Sequence, residues 1–504
     1  MAATSGNDVS TNDVLRSERI AGGILPKVLN SFDMVAIFVA IVLFVSNSAG
    51  LAAGAGPAAY VYWGLGFLTF LIPGAIVTGQ LGLMFPGEGS IYVWTSKAFG
   101  PFMGFFAGFC SWWPGVLVMI ATGDAVVSLL QQFNKSWLGD PWQQGLVIIL
   151  VIAFSFVISI LRFRVTQNLV NVVFVAYGGA ILLIGIAGLL AYFGGHAAKV
   201  DYSPHNWSPS IATYTFYGTV ILALLGVEVP LNMGVEITNT RSITRYLLWG
   251  AAVVIIAYLI ATFGIMVAVP VKDQGSPSAI TEAVQIGFGA AGPFLGILVN
   301  FIFIGFFLFN TAVYNYSFGR LLFVSGLDQR LPAVISKVNA NRVPWVAMLV
   351  QTVIASFFTA LAFIFIPYVI RTGIAPTNLS TDIYWVLQAA VTVIWCISMV
   401  ILFVDVIILR RKYRETFSRI QLAPDWVFYL CAVVGAVASG FGVFVIFTGP
   451  WTSTGDISIP QWDLLIGGIA LLSLLVGVAL FFIGQNAAKK KDLSDEELIA
   501  QVTQ

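Results

Sequence analysis

Long apolar runs separated by short polar breaks dominate the chain. Alternation of period two is absent, which argues against a membrane β-barrel. A hydrocarbon core about 30 Å thick takes about 20 apolar residues as helix. Twelve segments satisfy that length, at about 32–54, 58–85, 101–131, 142–162, 165–194, 212–236, 243–270, 292–326, 343–370, 381–409, 424–449 and 461–485. The pattern predicts an all-α integral membrane protein with twelve transmembrane helices. Residues 1–31 are polar and lack the apolar core of a signal peptide, so they read as a cytoplasmic tail. The stretch 271–291 is too polar to span and reads as a loop with a short surface helix. The C-terminal tail, 488–504, reads as a frayed or short amphipathic helix, with Lys489 to Lys491 anchoring it to anionic headgroups.

Composition agrees with the pattern. Of 504 residues 59% are hydrophobic and 9% charged, against roughly 25% charged in a soluble protein. A surface so poor in charge cannot be solvated by water alone. The net charge of +1 leaves no basic excess for a nucleic-acid partner. The three cysteines, Cys110, Cys396 and Cys431, sit in apolar runs without metal-ligand spacing, and two histidines exclude histidine-rich metal chemistry. No phosphate-cradling loop occurs, so no nucleotide-driven step and no cofactor is expected.

Charge decides orientation. With the N-terminus inside and an even number of spans, all but four of the 24 Lys and Arg residues fall on the cytoplasmic side. The exceptions are Lys135, Lys199, Lys272 and Arg371. That asymmetry satisfies the positive-inside rule and predicts a cell-membrane protein with both termini cytoplasmic.

The sixth segment carries Gly226, Pro230 and Gly234 around Glu228. Proline lacks an N–H and crowds the preceding turn, so the helix is weak there. A broken helix in a bilayer persists where its freed backbone lines a cavity or meets protein, and half-helix ends at the midplane suit a zwitterion. The competing reading is a proline kink in a packing helix. In the first segment Ser46, Asn47, Ser48, Gly50 and Gly54 loosen the second half. If segments one and six correspond, they lie five helices apart, the spacing expected of two inverted five-helix repeats followed by two extra helices. The expected organisation is a transport core at 32–410, two additional helices with their connecting loop at 411–487, and the two tails.

Three stretches resemble one known family. PGEGSIYVWTSKAFGP, residues 86–101, is similar to the Pro-x-x-Gly-Gly-x-Tyr-x-Trp … Phe-Gly-Pro signature of the amino acid–polyamine–organocation (APC) permeases, with Ser90 in place of the second glycine. Gly226-Val227-Glu228 falls at that family's helix break. Residues 319–347 resemble its Ser-Arg … Asp-Gly-x-Leu-Pro … Lys-Val … Pro-Val stretch through Arg320, Asp328, Leu331, Pro332, Lys337, Val338 and Pro344, while Gly319 and Gln329 depart from it. FLTFLIPG (67–74) and the glycine-poor first span resemble the bacterial glutamate/γ-aminobutyrate exchanger branch.

The resemblance implies a LeuT-like fold and alternating-access transport of an amino acid. It places the substrate carboxylate on backbone amides near Ala40, Ile41, Val42 and Leu43. It places the ammonium on carbonyls near Leu222, Ala223, Leu225, Gly226 and Val227, with Tyr314 at an aromatic gate. Family members often carry Gly-Ser-Gly in the first span, where this chain is bulkier. The alternative is binding by Ser46, Asn47 and Ser48.

Glu228 is the ionisable group deepest in the apolar zone and the candidate for proton coupling. The competing reading is a structural carboxyl that satisfies freed backbone. Asp124 reads as facing a hydrated vestibule, and Asp405 as pairing with Arg410 or reaching the interface. Tyr177 stands where some proton-coupled relatives carry a lysine, which favours exchange or a carboxyl-based mechanism. Phe216 and Tyr217 are further gate candidates, and Asn310 reads as bonding substrate or a neighbouring helix. Proton or sodium as co-ion stays open. The competing functions are a polyamine or other organic cation permease and an amino acid sensor on a transporter fold. An enzyme would need clustered His, Asp or Cys within the spans, which the sequence lacks.

Overall fold

The computed structural model describes residues 14–503 apart from 135, 211–212, 277, 370–374, 452–456 and 491–492. Lys135, Arg371 and Lys491, used in the orientation argument, lie outside the described residues. No strand occurs among the described residues, where two isolated bridges, Leu29 with Ile237 and Glu88 with Met233, are the only β pairing.

A short amphipathic helix, α1 (Arg16–Ile24), precedes the bundle. The first apolar segment is split into α2 (Ser31–Val42) and α3 (Ser46–Ala55), bent by 44°. Then come α4 (Ala58–Met84), the short α5 (Ser90–Phe99), α6 (Pro101–Gln131), α7 (Pro141–Ser159) and α8 (Phe163–Phe193). The sixth segment yields only α9 (Phe216–Leu224), followed by 3₁₀ turns at Val229–Asn232 and Gly234–Glu236. The chain continues through α10 (Arg241–Ala268), the surface helix α11 (Ala279–Gly287), α12 (Gly292–Leu327) and α13 (Trp345–Val369). It closes with α14 (Pro376–Lys412), α15 (Asp425–Ile446), α16 (Ile459–Lys490) and α17 (Asp495–Thr503).

Among the described residues ten helices are long and apolar enough to cross a membrane, or eleven if the bent α2–α3 pair counts as one span. The expected twelfth, 212–236, is not a continuous helix. Gly226 at φ +105° and Pro230 without an N–H end the helical ladder after Leu224. The lipid-facing character of the outer helices is plain in Leu464, Leu472, Phe294 and Val172, all large, apolar and well exposed.

Two anchors at the face bearing the termini hold the first segment. Asn30 caps α2 by accepting from the Phe32 and Asp33 amides, and Asp33 returns the bond to the Asn30 amide. The same Asp33 is buried and takes Arg164 at 2.6 Å and Asn171 Nδ2 at 2.6 Å, which ties α2 to α8. Deeper lies a charged cluster. Arg320 of α12, fully buried, contacts Glu236 at 2.9 Å and Glu88 at 3.8 Å. Its ring partner is Phe163, 4.9 Å from the guanidinium carbon.

Of the two forms expected for the C-terminal tail, frayed or a short amphipathic helix, the structure shows the second, Asp495–Thr503. Helix α17 docks on the bundle: Leu498 and Val502 are fully buried, and the Val338 amide donates to the Val502 carbonyl at 3.0 Å. Arg16 of α1 pairs with Asp495 at 2.7 Å, so the two terminal helices meet. Burial of these two apolar side chains and the Arg16–Asp495 pair hold the helix to the bundle, while the anchoring expected of Lys489 to Lys491 rests on side chains outside the described residues.

Candidate functional site

The two interrupted segments meet inside the bundle. At the first, Leu43 has φ −100° and ψ 88°, outside the helical region, and α3 restarts at Ser46. Ser and Asn compete with helical hydrogen bonds and favour helix starts, so Ser46-Asn47-Ser48 is a natural restart. At the second, Leu225 is extended and Gly226 is left-handed. A Cβ on Gly226 would sit 2.4 Å from Ile41 Cγ2, so glycine is required both by conformation and by the approach of the two breaks.

Three buried tyrosines satisfy the freed backbone. Tyr314 Oη donates to the Ile41 carbonyl at 2.8 Å. Tyr177 Oη donates to the Leu43 carbonyl at 3.1 Å and accepts from the Val45 amide at 3.3 Å. Tyr258 Oη accepts from the Phe44 amide at 3.1 Å and lies 2.8 Å from the Val42 carbonyl and 3.1 Å from the Ala223 carbonyl. A phenol has one proton, so it serves one of those two carbonyls at a time. Tyr258 thus links both broken segments through one oxygen. It is held by stacking on Trp63 at 4.1 Å, and Tyr177 by stacking on Phe306 at 3.6 Å.

Sequence reasoning missed Tyr258 altogether and took Tyr177 only as a missing lysine. A tyrosine in an apolar span, such as Tyr246 or Tyr258 in α10, gives no local sign of where its hydroxyl points.

A cavity of about 330 Å³ opens beside the breaks. Ile41, Leu222, Ala223, Leu225 and Tyr314 line it, as do Ser46 and Asn47 at the start of α3. Of the other expected residues, Ala40, Val42, Leu43, Gly226 and Val227 are buried around the breaks and do not line it. Ser48 is buried away from the cavity as well. The Phe44 and Val45 amides are occupied by tyrosine oxygens and the Asn47 amide donates to the Phe44 carbonyl at 2.9 Å, so at the start of α3 the Ser46 amide is the one left open beside the cavity.

Glu228 lies behind this cavity, fully buried. Its Oε1 accepts from Trp395 Nε1 at 3.2 Å and from Ser111 Oγ at 3.4 Å, and Oε2 has no hydrogen-bond partner among the described residues. Trp395 is itself a wall residue, so one indole separates carboxyl from cavity. Asp124 lines the cavity directly, as the vestibule reading expected. Asp405 does not pair with Arg410. It is buried and accepts from Thr95 Oγ1 at 2.5 Å, while Arg410 pairs with Asp425. Helical periodicity turns Asp405 inward and Arg410, five residues on, outward. Asn310 is buried and neither of its amide atoms has a partner among the described residues, so the helix contact expected of it is not made. Of the gate aromatics, Tyr217 bonds Thr69 Oγ1 at 2.7 Å, and Phe216 fills the space over Gly54.

The amino acid permease family matches residues 29–486. The chain belongs to this family, within the APC superfamily. It is 24% identical over 384 residues to a probable agmatine/putrescine antiporter, AguD, of Lactococcus lactis, covering 74% of this chain and 78% of that protein. It is 23% identical over 464 residues to the glutamate/serine transporter AimA of Bacillus subtilis, covering 87% and 77%. It is 26% identical over 408 residues to a glutamate/gamma-aminobutyrate antiporter of Lactococcus lactis, covering 77% of each. In this amino acid permease one break falls at Gly226, and the other lies between Val42 and Ser46, in a first span without the glycines that family members often carry.

Proposed function

We propose that this permease carries amino acids or closely related amines across the cell membrane by alternating access, as an exchanger or a proton-coupled carrier. The single observation behind this reading is the cavity where both broken segments converge, with a helix N-terminus at Ser46–Asn47 and the α9 C-terminal turn at Leu222 and Ala223 on its wall. A helix N-terminus favours a carboxylate and a C-terminus an ammonium. The names of the relatives, amino acid and amine carriers alike, support the same reading.

In this proposal Ser46 and Asn47 take the carboxylate, the Leu222 and Ala223 turn takes the ammonium, and Tyr314 and Trp395 close over the substrate. The face bearing residues 132–140 and 271–291 is external, and the face bearing both termini is cytoplasmic, following the distribution of basic residues. Glu228 is the proton site, reached when Trp395 moves with the substrate.

The test is counterflow of labelled amino acids in proteoliposomes at two pH values, with and without sodium. Accumulation against unlabelled internal substrate is expected, and binding without turnover would replace the carrier by a sensor. Glu228→Gln is expected to flatten the pH dependence of exchange. An unchanged pH profile in that variant removes Glu228 from coupling.

A further inference from the structure

Among the described residues lining the central cavity, Asp124 is the only one with a charged side chain. It makes no hydrogen bond or ion pair with any described residue. A carboxylate without a protein partner, in a cavity without a basic side chain, is electrostatically unbalanced until a cation enters. Its surroundings suit one. Tyr384, Trp385 and Gln388 of α14 line the same cavity, bringing two aromatic rings and an amide to its wall.

Its depth can be read from neighbouring contacts. Helices α6 and α12 run antiparallel, with Asn300 at the start of α12 bonding the Leu129 carbonyl near the end of α6 at 3.0 Å. Thr122 and Thr311 meet at 2.7 Å and mark a common level. Tyr314 lies three residues further toward the termini, and Asp124 two residues the other way. At 1.5 Å per residue they are separated by about 7 to 8 Å along the bundle. That is comparable with the reach of a four-carbon side chain such as that of lysine.

We propose that Asp124 determines specificity by binding a second cationic group, so that the preferred substrates are basic amino acids or short α,ω-diamines. The inference rests on the cavity being the substrate site. One substrate end sits at the breaks near Ser46 and Ala223. The far ammonium sits between Asp124 and the rings of Tyr384 and Trp385. A neutral side chain of the same length leaves the Asp124 carboxylate unpaired.

The experiment uses the full chain, with L-lysine and 1,4-diaminobutane compared with L-norleucine, which has the length of lysine without its ammonium. Exchange in proteoliposomes and ligand-induced thermal stabilisation in detergent are both read. Wild type is expected to favour lysine over norleucine at least tenfold in kcat/KM. Asp124→Asn is expected to raise KM for lysine at least tenfold with kcat little changed and norleucine unaffected, and Asp124→Glu to restore the preference. Equal use of lysine and norleucine by wild type overturns the proposal whatever the variants do, and so does an unchanged lysine KM in Asp124→Asn. Lysine-specific stabilisation that Asp124→Asn abolishes, without exchange of any compound, would support the role of Asp124 and overturn the carrier reading alone.

Discussion

The Tyr314 hydroxyl donates to the carbonyl of Ile41 across 2.8 Å, joining an unbroken helix, α12, to the end of the broken first segment. Ile41 in turn occupies the space that a side chain on Gly226 would need. The two breaks and the tyrosine therefore form one packed unit on the cavity wall.

Removing that hydroxyl leaves a carbonyl of the break without its donor. Tyr314→Phe is expected to destabilise the folded protein by about 1–3 kcal/mol, the usual penalty of an unsatisfied buried group. Tyr258→Phe is expected to fall in the same range, since its oxygen serves both segments. Thermal unfolding in detergent reads both. A phenylalanine variant as stable as wild type would show that water or substrate replaces the phenol.

Gly226→Ala tests the approach of the breaks. The residue is left-handed at φ +105°, and the added methyl would lie 2.4 Å from Ile41. Transport is expected to be lost while the protein still inserts, because the strain of about 1–2 kcal/mol for the left-handed residue adds to displacement of Ile41. Ile41→Ala in the same chain is expected to recover part of the activity. Uptake assays on the single and double variants decide this.

The buried cluster at Arg320 gives a further test. Arg320→Ala removes the cation between Glu236 and Glu88, all fully or almost fully buried, and is expected to destabilise by about 3–5 kcal/mol. Glu88→Gln, at the 3.8 Å contact, is expected to have a much smaller effect. Membrane yield and thermal stability separate the two variants.

The same cluster predicts a pH response. Burial first, and the charge of Glu236 second, hold the Glu88 carboxyl well above the usual carboxylate range, with Arg320 pulling the other way. A raised folded value means that the native state keeps a proton the unfolded chain releases. This stabilising contribution is full below the unfolded value of about 4.3 and is lost as pH rises through the folded value. Glu88→Gln is expected to flatten the fall of stability on the alkaline side. Unfolding temperatures of both proteins across that range check the sign, and parallel curves would exclude Glu88 as the source.

The sequence alone determined the solvent and the outline of the fold. A chain with 9% charge has to bury its helices in lipid, and the apolar runs locate them whatever they pack against. It also located the break of the sixth segment, because glycine and proline act on their own backbone within a turn or two, whereas in the first segment the stretch from Ser46 to Gly54 read as loosened is the regular helix α3 and the break lies just before it. It did not decide that α9 would stop so early that the sixth segment fails as a continuous span. Nor did it decide which polar side chain meets which peptide group. Tyr177, Tyr258 and Tyr314 come from helices more than a hundred residues from most of the backbone atoms they cap, and Asp405 found Thr95 rather than the arginine five residues away. Such pairings depend on the mutual rotation and depth of packed helices. A local pattern fixes the face a residue occupies, and only the assembled bundle fixes what stands opposite that face.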